Sequence, residues 1–287
     1  MSKEKNKVQD GVLYLVGTPI GNMADLSERA KKVLSEVDFI AAEDTRNSYK
    51  LLTLIGVQKE LVSYHEHNKK SAGERLVARL LAGESCALIT DAGMPAISDP
   101  GEDLVRLCAE SGVTVSCVPG PSAVVSALAM SALSTRKFAF EGFLSAKATE
   151  RRRELEAVRA ERRTIVFYEA PHKLKNTLSD MRDVLGGERK ISLCREITKL
   201  NEETLRMTLD SAVKFYEQNE PRGEYVLVLE GFDGVSVSEE TESLLALSPE
   251  EHVQRYVDEG MTKMEATKRA AKERGMSKSE LYKILNS

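Results

Sequence analysis

The first 135 residues alternate between short apolar segments typical of β-strands and longer amphipathic segments typical of helices. Strands are predicted at residues 12–16, 39–42, 61–64, 86–90 and 113–118, and helices at residues 25–36, 45–55, 70–82, 101–111 and 122–133. Asp25 followed by Glu28 is typical of a helix N-terminus, as is Asp99-Pro100 followed by Glu102. Short apolar strands that alternate with helices predict a mostly parallel sheet covered by helices.

A second region of the chain has less regular alternation. It contains predicted strands at residues 138–143, 164–168, 190–195, 203–208 and 225–230, and predicted helices at residues 149–160, 171–185 and 210–219. The later strands are not always separated by helices, so we expect a mixed sheet. The fold class is therefore α/β, with one α/β domain over residues 11–135 and a second over residues 136–232. Because the junction is short, the two domains are expected to share a cleft.

The C-terminal residues predict a separate helical element. Residues 233–247 are rich in small and acidic residues and predict a linker. Residues 248–287 hold three capping boxes and predict a small helical tail of the helix-turn-helix kind. Basic residues exceed acidic ones from residue 261 onwards, which favours RNA binding by four lysines: Lys263, Lys268, Lys272 and Lys278. A solvated helix surface is the alternative explanation.

Length and charge limit the possible functions. The chain has 287 residues, which suits two domains plus an appendage. Its net charge of −4 creates no general attraction for nucleic acid, so any RNA contact must come from local patches. The absence of a signal peptide or a long apolar segment predicts a cytoplasmic protein with no membrane partner. The four cysteines form no Cys-x-x-Cys pair, so we expect no metal site.

Three loops at the predicted carboxyl ends of strands are rich in glycine and proline: residues 17–22, 91–101 and 119–123. Ligands of parallel α/β sheets bind at this edge. The first loop matches neither the P-loop pattern nor G-x-G-x-x-G. Because the loops carry no lysine or arginine, they favour a ligand such as an adenosine with a charged amino-acid tail over a phosphate. A tight structural turn explains any single loop equally well.

Together with later motifs, these loops resemble the tetrapyrrole-methylase superfamily. The resembling segments follow one order between residues 11 and 231: residues 17–22, 43–46, 67–68, 91–101, 119–123, 167–172, 195–199 and 223–224. Porphyrin-directed members have a Gly-Asp-Pro order where this chain has Asp91-Ala92-Gly93. That difference favours the branch that methylates the 2′-hydroxyl of a cytidine ribose in small-subunit (16S) ribosomal RNA.

The resemblance also implies a cofactor and partners. It implies two α/β domains with S-adenosylmethionine in the cleft between them, ribosomal RNA or the small ribosomal subunit as substrate, and a homodimer. By position, it implies cofactor contacts from ten residues: Gly17, Thr18, Pro19, Asp91, Gly93, Ile97, Ser122, Ala123, Phe167 and Tyr168. Near the cleft, Lys173 and Arg195 are candidates for RNA phosphates. Lys173 stands where this branch more often has arginine, so it keeps the charge but not the bidentate geometry.

The chemistry of methyl transfer limits the catalytic candidates. Displacement at a sulfonium methyl group is driven mostly by alignment of the reacting atoms. A ribose hydroxyl is a weak nucleophile, so a general base or a charge stabiliser is expected. Glu43, Arg46 and Lys199 are the candidates, and the sequence does not decide which of them is the base. An ion pair with a nearby carboxylate is the alternative role for Arg46 and Arg195.

Two other functions fit the same sequence. A methyltransferase of a tetrapyrrole or another small metabolite would keep the cofactor and would tolerate loss of the tail. A nucleic-acid-binding regulator with a ligand-sensing body would bind cofactor without turnover. The sequence leaves open the modified nucleotide, the choice between free RNA and the assembled subunit, and the oligomeric state.

Overall fold

The computed structural model describes residues 7–232, 234, 244, 247–274 and 276–285, without the side chains of Lys272 and Ser279. The chain divides into two compact units, one ending at Gly231 and the other beginning at Phe232. The expected linker, residues 233–247, lies mostly outside the described residues. The domain boundary between residues 135 and 136 stays a prediction.

The first sheet has five parallel strands in the order β3-β2-β4-β1-β5. These strands are β1 (Val12–Val16), β2 (Phe39–Ala42), β3 (Glu60–Ser63), β4 (Cys86–Ile89) and β5 (Thr114–Val118). The chain also forms α1 (Glu28–Glu36), α2 (Thr45–Leu54), α3 (Lys69–Leu81), α4 (Gly101–Glu110) and α5 (Ala123–Met130). The predicted parallel α/β arrangement is confirmed.

Both faces of the first sheet are covered, as expected for parallel strands. Val12, Tyr14 and Val16 pack on one face with residues of α1, whereas Leu13 packs on the opposite face with residues of α3 and α4. Successive side chains of a strand point to opposite faces, so one short apolar strand supplies both cores.

The predicted N-terminus of α1 is wrong. Ser27, not Asp25, caps α1, because the Ser27 hydroxyl accepts a hydrogen bond from the Ala30 amide at 3.1 Å. Asp25 belongs to a separate 3-10 turn, Met23–Asp25, which Asn22 caps.

The second sheet is mixed, as predicted. Its order is β6-β7-β10-β8-β9, with β6 and β7 parallel and the other neighbours antiparallel. The strands are β6 (Phe138–Phe143), β7 (Thr164–Glu169), β8 (Lys190–Arg195), β9 (Glu203–Thr208) and β10 (Tyr225–Leu229), and the helices are α6 (Ala148–Ala157), α7 (Pro171–Leu185) and α8 (Leu209–Gln218). These three helices cover one face of the sheet.

Helix α5 covers the other face of the second sheet. Val124, Ala127 and Leu128 of α5 pack in one apolar cluster with Val166 and Val226 of that sheet. Because α5 follows β5 directly, this packing brings the carboxyl edge of the first sheet next to the second sheet. The three glycine-rich and proline-rich loops lie at this junction.

Within the described residues of the second unit, the helices are α9 (Pro249–Asp258), α10 (Lys263–Glu273) and α11 (Lys278–Ile284). All three predicted capping boxes are present, at Ser248, Thr262 and Ser277. The His252 ring is buried between Glu273, 3.0 Å from Nε2, and Arg274, whose Nε donates to Nδ1 at 3.0 Å. Since Nδ1 accepts, the imidazole proton lies on Nε2 and is donated to Glu273.

In the parts of the chain that the structure describes, we find no helix long and apolar enough to cross a membrane.

Candidate active site

A cavity of about 400 Å³ lies where the carboxyl edge of the first sheet meets the second sheet. This volume is within the range typical of small-molecule sites. The loops after β1, β4 and β5 contribute Ile20, Gly93 and Ser122, and the second sheet contributes Tyr168 and Val226. Both halves of the first unit therefore build the site.

The loops after β1 and β5 touch through their backbones. A Cβ atom on Gly17 would lie 2.7 Å from the Gly120 Cα, a distance that real Cβ contacts do not show. Glycine at both positions therefore lets these loops approach closely.

The loop after β1 is also bonded to the loop after β4. Thr18 and Gly93 exchange backbone hydrogen bonds of 2.9 and 3.2 Å, and the buried Thr18 hydroxyl donates to the Thr90 carbonyl at 3.1 Å. Thr18 does not line the cavity. It holds in place a loop that does.

The loop after β4 has an uncommon backbone conformation. Ala96 and Ser98 both have a φ of 66°, a region that residues other than glycine rarely adopt. The Asp99 carboxylate fixes this turn by accepting hydrogen bonds from the amides of Ala96, at 3.0 Å, and Gly101, at 2.7 Å. Asp99 thus both shapes the loop and starts α4.

The cavity is strongly acidic. Six carboxylates and one lysine line it: Glu43, Asp91, Asp99, Glu169, Glu196, Glu224 and Lys199. Burial raises the pKa of Glu43, and the negative charges of Asp91 and Asp99 raise it further. Asp91 accepts a hydrogen bond from Asn47 at 3.1 Å. This wall suits a positively charged ligand and includes a carboxylate that takes up a proton more readily than usual.

Lys199 is held between two carboxylates. Its ammonium lies 2.8 Å from Glu196 and 2.8 Å from Glu224. Desolvation alone would lower the pKa of Lys199, but the two ion pairs outweigh it, and the net pKa is raised. Lys199 is therefore a cation at neutral pH and cannot act as a base in this arrangement.

Aromatic side chains also line the cavity. The Tyr168 ring packs against Phe140 and Phe143, at centroid distances of 5.0 and 5.3 Å. Phe143 and Ile97 are apolar side chains more than half exposed beside the cavity, at 57% and 53%. Exposed apolar groups at the edge of a polar cavity provide a surface for a flat ring.

The structure brings some of the predicted cofactor residues to the cavity but not others. Asp91, Gly93, Ile97, Ser122, Ala123 and Tyr168 line it. Gly17, Thr18 and Pro19 are not among the lining residues. Phe167 is fully buried in the core between the second sheet and its helices, so its predicted cofactor contact is not supported. Its neighbour Tyr168 points the other way, because strand side chains alternate.

The cationic candidates near the cavity differ in their exposure and in their ion pairs. Arg46 lies outside the cavity lining, with its side chain 87% exposed and paired with Asp44 at 2.8 Å. Arg195 pairs with Glu203 at 3.2 Å. The Lys173 ammonium is half-buried, 3.0 Å from the buried carboxylate of Glu169. These ion pairs leave Arg46 as the most accessible of the three cations and give Lys173 a structural contact.

In the tail, Lys263, Lys268 and Lys278 are exposed. The side chain of Lys272 lies outside the described residues. The RNA-binding role of these lysines stays a prediction.

The cavity is also lined by residues to which the sequence assigned no specific catalytic or cofactor-binding role. Ile20, Asp99, Glu169, Glu196 and Glu224 line it. All five belong to the resembling motifs, so the motifs indicated the region of these residues but not the directions of their side chains. Among the described residues, no three His, Cys, Asp or Glu side chains are grouped so that they could hold a metal ion.

The fold and the cavity define a class of protein. The sequence profile described as Tetrapyrrole (Corrin/Porphyrin) Methylases matches residues 12–213, and the chain belongs to this family. The chain is 47% identical over 274 residues to Ribosomal RNA small subunit methyltransferase I of Halalkalibacterium halodurans, covering 96% of this chain and 94% of the relative. Its identity to the Bacillus subtilis protein of the same name is 44%, covering 95% and 93%.

Solved structures share the fold at low sequence identity. Diphthine synthase matches with a TM-score of 0.61 and 14% identity, over 77% of this chain and 90% of that one. Uroporphyrin-III C-methyltransferase from Thermus thermophilus, complexed with S-adenyl homocysteine, matches with a TM-score of 0.54 and 18% identity, over 76% and 96%. At these identities the likeness concerns the fold alone.

Proposed function

We propose that this chain is an S-adenosylmethionine-dependent methyltransferase that modifies the 2′-hydroxyl of a cytidine ribose in small-subunit (16S) ribosomal RNA. The observation that carries the proposal is the similarity to relatives named Ribosomal RNA small subunit methyltransferase I, at 47% and 44% identity over at least 95% of this chain. The cavity-forming loops lie inside the matched region.

The cavity fits this cofactor. Its carboxylates, Asp91 among them, suit a sulfonium and an ammonium group. Ile97, Phe143 and Tyr168 offer apolar surface for the adenine ring. When bound, the cofactor supplies a methyl group already activated by its positive sulfur.

Within this proposal, Glu43 is the general base. Its carboxylate lines the cavity, and its raised pKa brings it closer to the basicity that proton abstraction requires. Lys199, which is cationic, stabilises the negative charge that develops on the acceptor oxygen. Arg46, outside the cavity lining and highly exposed, contacts an RNA phosphate instead of taking a proton.

The RNA is also held outside the cavity, by the tail lysines Lys263, Lys268, Lys272 and Lys278. Local basic residues are sufficient for this, because phosphate contacts act over short distances in salt. The proposal includes a homodimer, which sedimentation analysis tests directly. It also includes a cytoplasmic location, where ribosomal subunits are found.

The proposal is tested with radiolabelled S-adenosylmethionine. Small subunits from a strain lacking this protein should take up label, and subunits from the parent strain, already methylated, should not. Alkali-resistant label at a single dinucleotide identifies ribose methylation, because a 2′-O-methyl group blocks cleavage. Cofactor binding without label in RNA or subunits would refute the RNA acceptor and direct the search to small metabolites.

Asp91→Asn is expected to weaken cofactor binding by about 10- to 100-fold, the value of one hydrogen bond to a charged group. The change removes a negative charge that lines the cavity while keeping the shape of the side chain. Isothermal titration calorimetry measures the effect. Asp44→Asn is the matched control, because Asp44 pairs with Arg46 and does not line the cavity. Equal losses in both variants would contradict a contact between Asp91 and the cofactor.

The double substitution Lys263→Glu and Lys268→Glu is expected to weaken subunit binding and to reduce the salt dependence of log K by about 1.5, for two lost phosphate contacts. An acidic residue at position 263, in the first turn of α10, suits the helix dipole, so the fold should survive. Filter binding at several salt concentrations measures the slope. Lys190→Glu, at an exposed lysine of β8, is the control for a lysine-to-glutamate change outside the tail and alters the net charge by half as much. An unchanged slope would exclude these two lysines from the RNA interface.

A further inference from the structure

The loop after β8 carries Lys199 in an uncommon conformation. Glu196 has a φ of 51° and Thr198 a φ of 68°. A β-branched residue such as threonine is a clear outlier in this region. Such conformations persist where the surrounding structure fixes them, and they cluster at functional sites. The Thr198 amide is bonded to the Glu202 carboxylate at 2.6 Å, and the Lys199 amide to the Glu196 carbonyl at 2.9 Å.

Gly21, in the loop after β1, packs directly on this segment. A Cβ atom on Gly21 would lie 2.4 Å from Cγ of Lys199 and 2.9 Å from the Thr198 hydroxyl oxygen. The φ of Gly21 is not in the left-handed region, so glycine is required here for space and not for conformation. The Thr198 hydroxyl is buried at this contact without a hydrogen-bond partner within the described part of the chain.

The far end of the Lys199 side chain is fixed as well. Its ammonium pairs with Glu196 and Glu224, each at 2.8 Å. Glu196 is itself packed on Gly223, where an added Cβ would lie 2.4 Å from its Cγ. Lys199 is therefore held at its stem by Gly21 and at its tip by two carboxylates that line the cavity.

We propose that Gly21 is a positioning residue that acts through Lys199: its lack of a side chain leaves the space in which the Lys199 stem lies, and so the loop after β1 sets where the ammonium stands in the cavity. The part that this ammonium plays in methyl transfer rests on the proposed function. Its placement by Gly21 does not.

Gly21→Ala tests the placement without reference to activity. The added methyl group should displace the Lys199 stem and disturb its ion pairs. We expect acetylation of Lys199 by acetic anhydride, followed by mass spectrometry, to become at least several-fold faster, with other lysines unchanged. Gly73→Ala in α3, where the nearest atom is a Leu107 methyl at 3.3 Å, is the control and should leave Lys199 unchanged. Unchanged reactivity of Lys199 in Gly21→Ala would overturn the proposal.

A double-mutant cycle tests whether Gly21 affects catalysis through Lys199. Gly21→Ala should lower kcat at least tenfold and leave the cofactor Kd within threefold. In a Lys199→Ala background, which lacks the clashing Cγ, Gly21→Ala should cause no further loss. Additive losses would overturn the proposal.

The same pair of substitutions still tests the proposal if Gly21→Ala fails to fold. If Gly21→Ala lowers the melting temperature or expression, the double variant should recover most of the loss, because Lys199→Ala removes the closest clash and leaves the Thr198 hydroxyl oxygen, at 2.9 Å, as the nearest remaining atom. Absence of recovery would assign Gly21 a different role. If wild-type protein bound cofactor but methylated no RNA, the proposed function would fail, while acetylation and recovery would still decide the placement.

Discussion

Replacing Glu43 with glutamine is expected to lower kcat for methyl transfer by about 100- to 10,000-fold, the contribution typical of a general base. Glutamine keeps the size of the side chain and a hydrogen-bonding oxygen but cannot take a proton from the acceptor hydroxyl. Cofactor binding should change little by comparison. Single-turnover kinetics with saturating cofactor and subunits measures the effect on the chemical step.

The pH dependence gives an independent test of the same role. Burial raises the pKa of Glu43, and Asp91 and Asp99 add to the shift. Because a base acts in its deprotonated form, the rate should rise with pH through an inflexion above the ordinary glutamate value of 4.5. Asp91→Asn removes one of the neighbouring charges and should move this inflexion to lower pH. A rate in Glu43→Gln close to that of the wild type would exclude Glu43 as the base.

Stability separates a catalytic role for Glu43 from a structural one. A carboxyl group whose pKa is raised in the folded state binds its proton more tightly there than in the unfolded chain. Its contribution to stability is present at low pH and is lost as the pH rises through the folded-state pKa. At neutral pH, Glu43→Gln should therefore melt at the same temperature as the wild type or higher. A strong destabilisation would indicate a structural role.

Replacing Gly120 with alanine is expected to weaken cofactor binding by about 5- to 150-fold, because an overpacked contact of this kind costs about 1–3 kcal/mol. A Cβ on Gly120 would lie 2.8 Å from the Gly17 Cα and 2.9 Å from its carbonyl oxygen. Both partners are backbone, so no side-chain rotation relieves the contact. The loops after β1 and β5 must therefore separate, which disturbs Ile20 and Ser122 in the cavity lining.

Calorimetry with the cofactor and thermal melting together measure this effect. Gly73→Ala again serves as the glycine-to-alanine control, since alanine within a helix stabilises it relative to glycine by up to about 1 kcal/mol. If Gly120→Ala bound cofactor as tightly as the wild type, the close approach of the two loops would not be a requirement of the site.

The type and order of the elements could be predicted from the sequence, because short apolar strands and amphipathic helices have different periods. Their boundaries depend on individual hydrogen bonds, which a pattern does not reveal. Asp25 and Ser27 are both good capping residues, and the 3-10 turn at Met23–Asp25 decides between them. Capping boxes gave the clearest signal, since each pairs two residues at a fixed spacing.

The region of the site was also predictable, because glycine-rich loops at strand ends meet at one edge of a parallel sheet. The directions of individual side chains were harder to predict. Phe167 and Tyr168 are adjacent in one motif, yet strand alternation sends only Tyr168 to the cavity. The contact of Lys173 with buried Glu169 depends on the turn between β7, which ends at Glu169, and α7, which begins at Pro171.

The packing of α5 has a consequence for how the chain folds. The helix belongs in sequence to the first half, but its apolar side chains complete the core on the far side of the second sheet. During synthesis, α5 is made long before β10. The apolar face of α5 therefore stays exposed to solvent until about a hundred more residues have been made. A fragment ending near residue 135 should therefore be prone to aggregation. When this fragment is mixed with a second fragment that holds the remaining residues of the first unit, the two should fold together by complementation, whereas neither should fold alone.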